Sequence, residues 1–269
     1  MAAVTAKQAR PSGITAFITP DLKAPEGRQS EDARRASPRR SYSLARGVVG
    51  GLGILLPIVL WAGEPLIDGS WDGRGSISAY YHSGVRDYFV GTLAVVAVLL
   101  LIYKFFQHSL DNVLTWAAGG AALAVAIFPT HVPDGVGHFP TPLQESWGED
   151  FVAGLHYTAA ATFFLCMAAM SWLFGRSETQ RADRPKLPLL PEHDWKRTRA
   201  VHWICAAIVS LMVLLLIATS QVDVFGDQDI WIAESVALIA FGVSWIYKGF
   251  ELDLLIPSLD PDEKPLARS

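Results

Sequence analysis

Apolar residues in this chain are clumped into long runs rather than spaced at a helical or strand period. Six runs stand out, at 47–63, 88–103, 113–128, 151–174, 201–219 and 230–247. Each is close to the length needed to cross a hydrocarbon core roughly 30 Å thick. The second and third are short and need their flanks to complete a span. Only helices or closed barrels cross lipid, because no backbone polar group can go unpaired there. Runs this long and without alternation exclude barrel strands. The pattern therefore predicts an all-α polytopic membrane protein with six transmembrane helices. Pro57 in the first run is tolerated in lipid, with a kink as its expected effect.

The polar stretches complete the organisation. Residues 1–45 are rich in Ala, Pro, Ser, Arg and Glu and lack apolar periodicity. Such a segment buries too little surface to offset its ordering entropy and is expected to be a disordered basic tail. Pro38-Arg39-Arg40-Ser41-Tyr42-Ser43-Leu44 ahead of an apolar run has the look of a twin-arginine export signal. No small-x-small cleavage site follows and five more apolar runs do, so the segment is expected to be retained. Residues 46–250 form the membrane domain and 251–269 a short second tail.

Charge sets the expected orientation. With the N-terminal tail in the cytoplasm, every Lys and Arg of the 22 except Arg74 and Arg86 falls on the inner side. The outer segments carry acids instead, among them Asp68, Asp72, Asp134, Glu145, Glu149, Asp150, Asp223, Asp227 and Asp229. The positive-inside rule then puts both termini in the cytoplasm of a plasma membrane. Trp61, Tyr80, Tyr81, Trp147 and Trp231 fall at outer ends. Tyr103, Trp172, Trp195, Trp203, Trp245 and Tyr247 fall at inner ends. All are expected to serve as interface anchors. The stretch Ala117-Ala118-Gly119-Gly120-Ala121-Ala122 and the Gly47/Gly51 GxxxG pair predict close helix packing, within the chain or in a homo-oligomer.

Composition narrows the function classes. Hydrophobic residues make up 51% of the chain and charged residues 18%, with a net charge of −4. No strongly basic surface exists, so nucleic acid is excluded as a partner; the expected partner is the lipid bilayer. The two cysteines, Cys166 and Cys205, lie inside apolar runs and form neither a disulfide framework nor a CxxC motif. There is no P-loop, no GxGxxG opening a helix and no GxSxG elbow. Membrane b-type haems need histidines paired about four turns apart. His156 has no partner near 170 and His202 none near 216.

Ionisable residues at membrane depth are costly and mark candidate sites. His156 and Glu234 each lie one turn or so inside a helix that starts on the outer side, roughly 6–8 Å below the interface. Arg86 and Asp87 open the second run, and His82, His131 and His138 sit in adjoining outer loops. Three readings of this cluster stand. In the first, Glu234 pairs with Arg86 and His156 bonds a neighbouring helix, fixing the packing. In the second, His82, His131, His138 and His156 supply zinc ligands to a hydrolase acting on an outer-leaflet lipid. Asp87, His156 or Glu234 would then be catalytic, with a hydroxyl such as Ser76, Ser78 or Ser83 assisting. In the third, Arg86, His82 and Glu234 bind a lipid headgroup, a small solute or a proton. The histidines show neither HExxH nor HxxxH spacing.

Several phrases occur together: Ile77-Ser78-Ala79-Tyr80-Tyr81-His82, Val85-Arg86-Asp87-Tyr88-Phe89-Val90-Gly91, Ala126-Ile127-Phe128-Pro129-Thr130, His156-Tyr157, Trp231-Ile232-Ala233-Glu234, Phe241-Gly242-Val243-Ser244-Trp245 and Lys248-Gly249. Across about residues 45–250 the chain resembles a family of bacterial six-helix membrane proteins of uncharacterised role. This resemblance implies an integral membrane protein. More distantly, the chain is similar to the transmembrane hydrolase superfamily of the alkaline ceramidases. Those enzymes use serine, aspartate and several histidines at a metal site; this chain lacks their paired HxxxH.

Overall fold

The computed structural model describes residues 28–69, 73–103, 110–132, 140–182, 192–219 and 229–254. Contacts divide the chain into two units, Met1–Arg40 and Ser41–Ser269, and the second holds the helical bundle. The elements are α1 (Arg28–Asp68), a 3-10 turn (Ser78–His82), α2 (Arg86–Ile102), α3 (Leu110–Ile127), a short α4 (Pro142–Trp147), α5 (Glu149–Ala182), α6 (Glu192–Thr219) and α7 (Asp229–Leu254). No strand occurs among the described residues. The first helix starts inside the segment expected to be a structureless tail, and it continues unbroken through the buried Pro57.

Five helices are long and apolar enough to cross a membrane: the stretches Leu44–Ile67, Leu110–Ile127, Glu149–Ser177, Lys196–Ile217 and Ile230–Gly249. The protein is thus built as a multi-pass membrane protein. The remaining apolar helix, α2, has 17 residues, about 26 Å at 1.5 Å per residue. It is one of the two runs that are short in the sequence; the other, at 113–128, falls in a helix of spanning length.

Long helices that follow one another in sequence pack as neighbours, α2 on α3, α3 on α5, α5 on α6 and α6 on α7. The last helix returns against the first. An added Cβ on Gly50 of α1 would lie 2.6 Å from the Gly242 carbonyl of α7, and one on Gly242 would lie 2.5 Å from the Gly50 carbonyl. Both positions need glycine because backbone meets backbone, the way small residues let helices approach in lipid. Gly119 plays the same part between α3 and α2, where a Cβ would fall 3.0 Å from the Ala97 carbonyl. The alanine-glycine stretch therefore packs as expected. The GxxxG pair does not: Gly47 and Gly51 have open space where a Cβ would be. The contact with α7 falls on Gly50 and Gly53, another face of the same helix.

The aromatic residues divide in a way the sequence did not show. Trp61, Trp147, Trp172 and Trp203 are exposed as interface anchors should be. Tyr80, Tyr81, Tyr103 and Trp245 are buried instead. Trp245 packs against Phe174, Phe241 and Tyr103, so these rings fill the ends of the bundle rather than marking its rim.

Overpacking at a backbone-to-backbone contact costs about 1–3 kcal/mol. Gly242→Ala and Gly50→Ala are expected to lower the melting temperature of the detergent-purified protein clearly, and Gly51→Ala to leave it nearly unchanged. Thermal unfolding of the three variants side by side checks this.

Candidate functional site

One end of the bundle carries Glu64, the segment 73–85 and the starts of α2, α5 and α7. Segment 73–85 does not run free over this end. It folds inward through the 3-10 turn, with Ser78, Tyr80, Tyr81 and His82 buried. Its own hydroxyls shape it: Ser76 Oγ accepts from Ala79 N at 3.0 Å, and Ser83 Oγ donates to the Tyr80 carbonyl at 2.7 Å while accepting from Val85 N at 3.3 Å. Side chains that bond nearby backbone in this way stabilise turns.

Helix α7 pins the segment twice. Trp231 N donates to the Gly75 carbonyl at 2.9 Å, satisfying a backbone donor in the first turn of the helix. One turn further in, Glu234 Oε2 accepts from Ile77 N at 2.7 Å. Glu64 and Arg74 close the other side with an ion pair of 2.5 Å between side chains 8% and 14% exposed. The Tyr80 phenol is buried beside them. Burial first, and then the negative charge of Glu64, push its pKa above the ordinary tyrosine value.

The histidines are held by backbone carbonyls. His156, wholly buried on α5, donates from Nδ1 to the Phe128 carbonyl at 2.6 Å. A carbonyl only accepts, so Nδ1 carries the proton and Nε2 is left with a lone pair. That nitrogen has no hydrogen-bond partner among the described residues. His82 donates from Nε2 to the Thr130 carbonyl at 3.0 Å, and Gln144 Nε2 reaches the same oxygen at 2.9 Å. Gln144 is fixed by a capping box with Thr141 at the start of α4. Three side chains thus secure the exit of α3, where Pro129 interrupts the helical bonding.

A cavity of about 30 Å³ lies inside this closure, where α1, the 3-10 turn, α2, α3, α5 and α7 converge. Phe89, Phe163 and Phe164 line it, with Leu56, Leu93 and Leu238 among the aliphatic walls. Glu234 is its ionisable lining residue, and Ile77 and Ser78 reach it from the turn.

The expected residues separate into two groups. His82, His156, Glu234 and Ser78 are all in the buried end, as their positions in the sequence suggested. The expected pair between Arg86 and Glu234 does not form. Arg86 is exposed, donates to Tyr81 Oη at 2.8 Å and stacks 4.4 Å from the centre of that ring. Asp87 is exposed in the first turn of α2, where a negative charge suits the helix dipole. His131 is exposed, with Nε2 3.0 Å from Asp150 Oδ1 and Nδ1 3.3 Å from Tyr157 Oη. His138 lies outside the described residues. No group of three His, Cys, Asp or Glu side chains suited to a metal occurs among the described residues. His82 and His156 each spend a ring nitrogen on a carbonyl, and His131 is turned to the surface.

Glu64, Arg74, Gln144 and Thr130 were not among the expected site residues, although an acid closing the first apolar run and one of the two outer arginines ten residues later were visible signals. Nor was a second polar cluster expected at the opposite end of the bundle. There Arg46, buried, donates to Tyr103 Oη and, at 2.7 Å, to the Lys248 carbonyl. Lys248 Nζ donates to Ser177 Oγ at 3.0 Å, and the His202 ring bonds Ser244 Oγ at 2.9 Å. No protein-family model, no curated protein and no solved structure matches this chain.

Leaving a buried donor without its acceptor costs about 1–3 kcal/mol. Glu234→Ala is expected to lower the melting temperature and open segment 73–85 to proteolysis. Glu234→Gln keeps an acceptor for Ile77 N and is expected to hold the segment shut; limited proteolysis in detergent separates the two. Tyr80 gives a pH signature. Its folded form holds a proton that an unfolded phenol releases near pH 10, about the ordinary value. The stability from this difference is fully present below that pH and is lost as pH rises beyond it. Wild type should therefore lose melting temperature between about pH 9.5 and 11 more steeply than Tyr80→Phe, a comparison made by thermal unfolding.

Proposed function

We propose that this chain is a six-span protein of a bacterial plasma membrane, with both termini in the cytoplasm. In this reading the Glu234 cavity binds the polar end of a small, mostly apolar solute or lipid in the outer half of the bundle. The Lys and Arg asymmetry supports the orientation, since only Arg74 and Arg86 fall on the outer side. The packing of α2 along α3, with flanks that reach α1 at both ends, supports counting it as a span. Those flanks meet Gly63, where Val85 Cγ1 lies 3.0 Å from an added Cβ, and Arg46, which bonds Tyr103. A helix about 26 Å long needs only modest thinning of the bilayer or help from its flanks.

One observation carries the binding reading: a carboxylate 7% exposed, inside a membrane-spanning helix, lines an otherwise apolar cavity. A carboxylate needed only to hold the 3-10 turn could be packed on all sides. This one has its Oε2 committed to Ile77 N and a space beside it. Ionisable groups at such depth are expensive and face interior cavities or pathways when they occur.

Two experiments test the proposal. A periplasmically active reporter fused after Arg184 should be silent, and activity there overturns the topology. Native mass spectrometry of the protein released from micelles should show a retained small molecule or lipid. Leu238→Trp, which fills the cavity, should lose it. Retention unchanged in that variant removes the cavity from consideration.

A further inference from the structure

We propose that the group accepted by the cavity is a primary ammonium on a short alkyl stem, carried by a free alkylamine or by an ethanolamine lipid headgroup. This rests on the reading of the cavity as a binding site. A ligand cation would supply the counter-charge that a carboxyl this buried needs in order to ionise. Glu234 has no ion pair among the described residues, and the two arginines of this closure, Arg74 and Arg86, are committed to Glu64 and Tyr81. Ile77 N is the one donor that reaches the carboxylate among the described residues, and it takes Oε2. Oε1 is left to accept from a ligand that brings its own N–H groups, as an ammonium does.

The walls decide which cation. A bare calcium or magnesium ion needs six or more oxygen ligands, and the lining offers polar atoms only from Glu234 and the Ile77–Ser78 turn. Phe89, Phe163 and Phe164 instead supply aromatic rings, the surroundings in which organic ammonium ions are held. Hydrogen bonding decides which ammonium. A primary ammonium brings N–H donors to Oε1 of Glu234, and a trimethylammonium head brings none.

The test uses the detergent-purified full chain and ethylammonium chloride as the probe, with sodium chloride holding ionic strength constant. n-Propanol serves as the neutral analogue and tetramethylammonium as the cation without N–H donors. Ethylammonium should raise the melting temperature saturably, and the two controls should not. Glu234→Gln, which keeps the acceptor for Ile77 N, should weaken the apparent affinity by roughly tenfold or more. In nanodiscs, selective retention of phosphatidylethanolamine over phosphatidylcholine, displaced by ethylammonium, assigns the headgroup as the source. Ethylammonium binding without lipid preference assigns the free amine. If n-propanol binds as well as ethylammonium and Glu234→Gln makes no difference, the ammonium proposal is overturned and the cavity remains a binding site. If no probe shifts the wild type and Leu238→Trp behaves the same in every assay, both readings fall.

Discussion

A backbone donor or acceptor buried within this bundle reaches neither water nor a polar lipid group, so it must find a partner inside the protein. That requirement explains most of the polar side chains buried at the Glu64 end. Phe128 and Thr130 present carbonyls just where Pro129 prevents α3 from continuing, and His156, His82 and Gln144 meet them. Ile77 N turns inward with the 3-10 segment, and Glu234 meets it. Residues that look like catalytic equipment in the sequence are first of all partners for exposed backbone. His156 Nε2 is left without a hydrogen-bond partner after that duty, as are the Tyr80 hydroxyl and the Trp231 indole N–H nearby, among the described residues.

The fold was legible because membrane insertion writes itself in long apolar runs. Five of the six runs coincide with helices of spanning length, and the one left out is one of the two runs that were short in the sequence. That His156 and Glu234 lie within helices of spanning length was legible for the same reason, since each sits inside a long apolar run. Pairing was not. Which way Arg86 turns depends on Tyr81, five residues before it, folding into the bundle end. No periodicity in residues 76–85 announces that fold. The choice between Gly47 and Gly50 as the contact with α7 failed for a similar reason. A GxxxG spacing says that a smooth face exists but not which face a partner from the far end of the chain uses.

Packing and chemistry meet in the aromatic residues. Those that stay at the rim are tryptophans at helix ends. Those drawn inside, Tyr80, Tyr81, Tyr103 and Trp245, close the two ends of the core. Tyr80 and Tyr81 fill one end from a folded loop rather than from a helix, and Ile77 and Ser78 of the same loop line the cavity. Loops open more readily than helix packing, because fewer buried contacts hold them. The wall of the cavity that this loop supplies is therefore its most adaptable one.

The contact between Gly50 and Gly242 has a bearing on how the protein is made. Synthesis proceeds from the N-terminus, so α1 enters the bilayer long before α7 exists. Its permanent neighbour is the last helix to emerge, and the Arg46 bond to the Lys248 carbonyl closes at the same late moment. Until then the glycine face of α1 has no partner, and Arg46, at the head of the Leu44–Ile67 stretch, lacks one of its two acceptors. A chain cut short before α7 keeps both unmet, so the two ends of the sequence complete one another only when synthesis has passed α7.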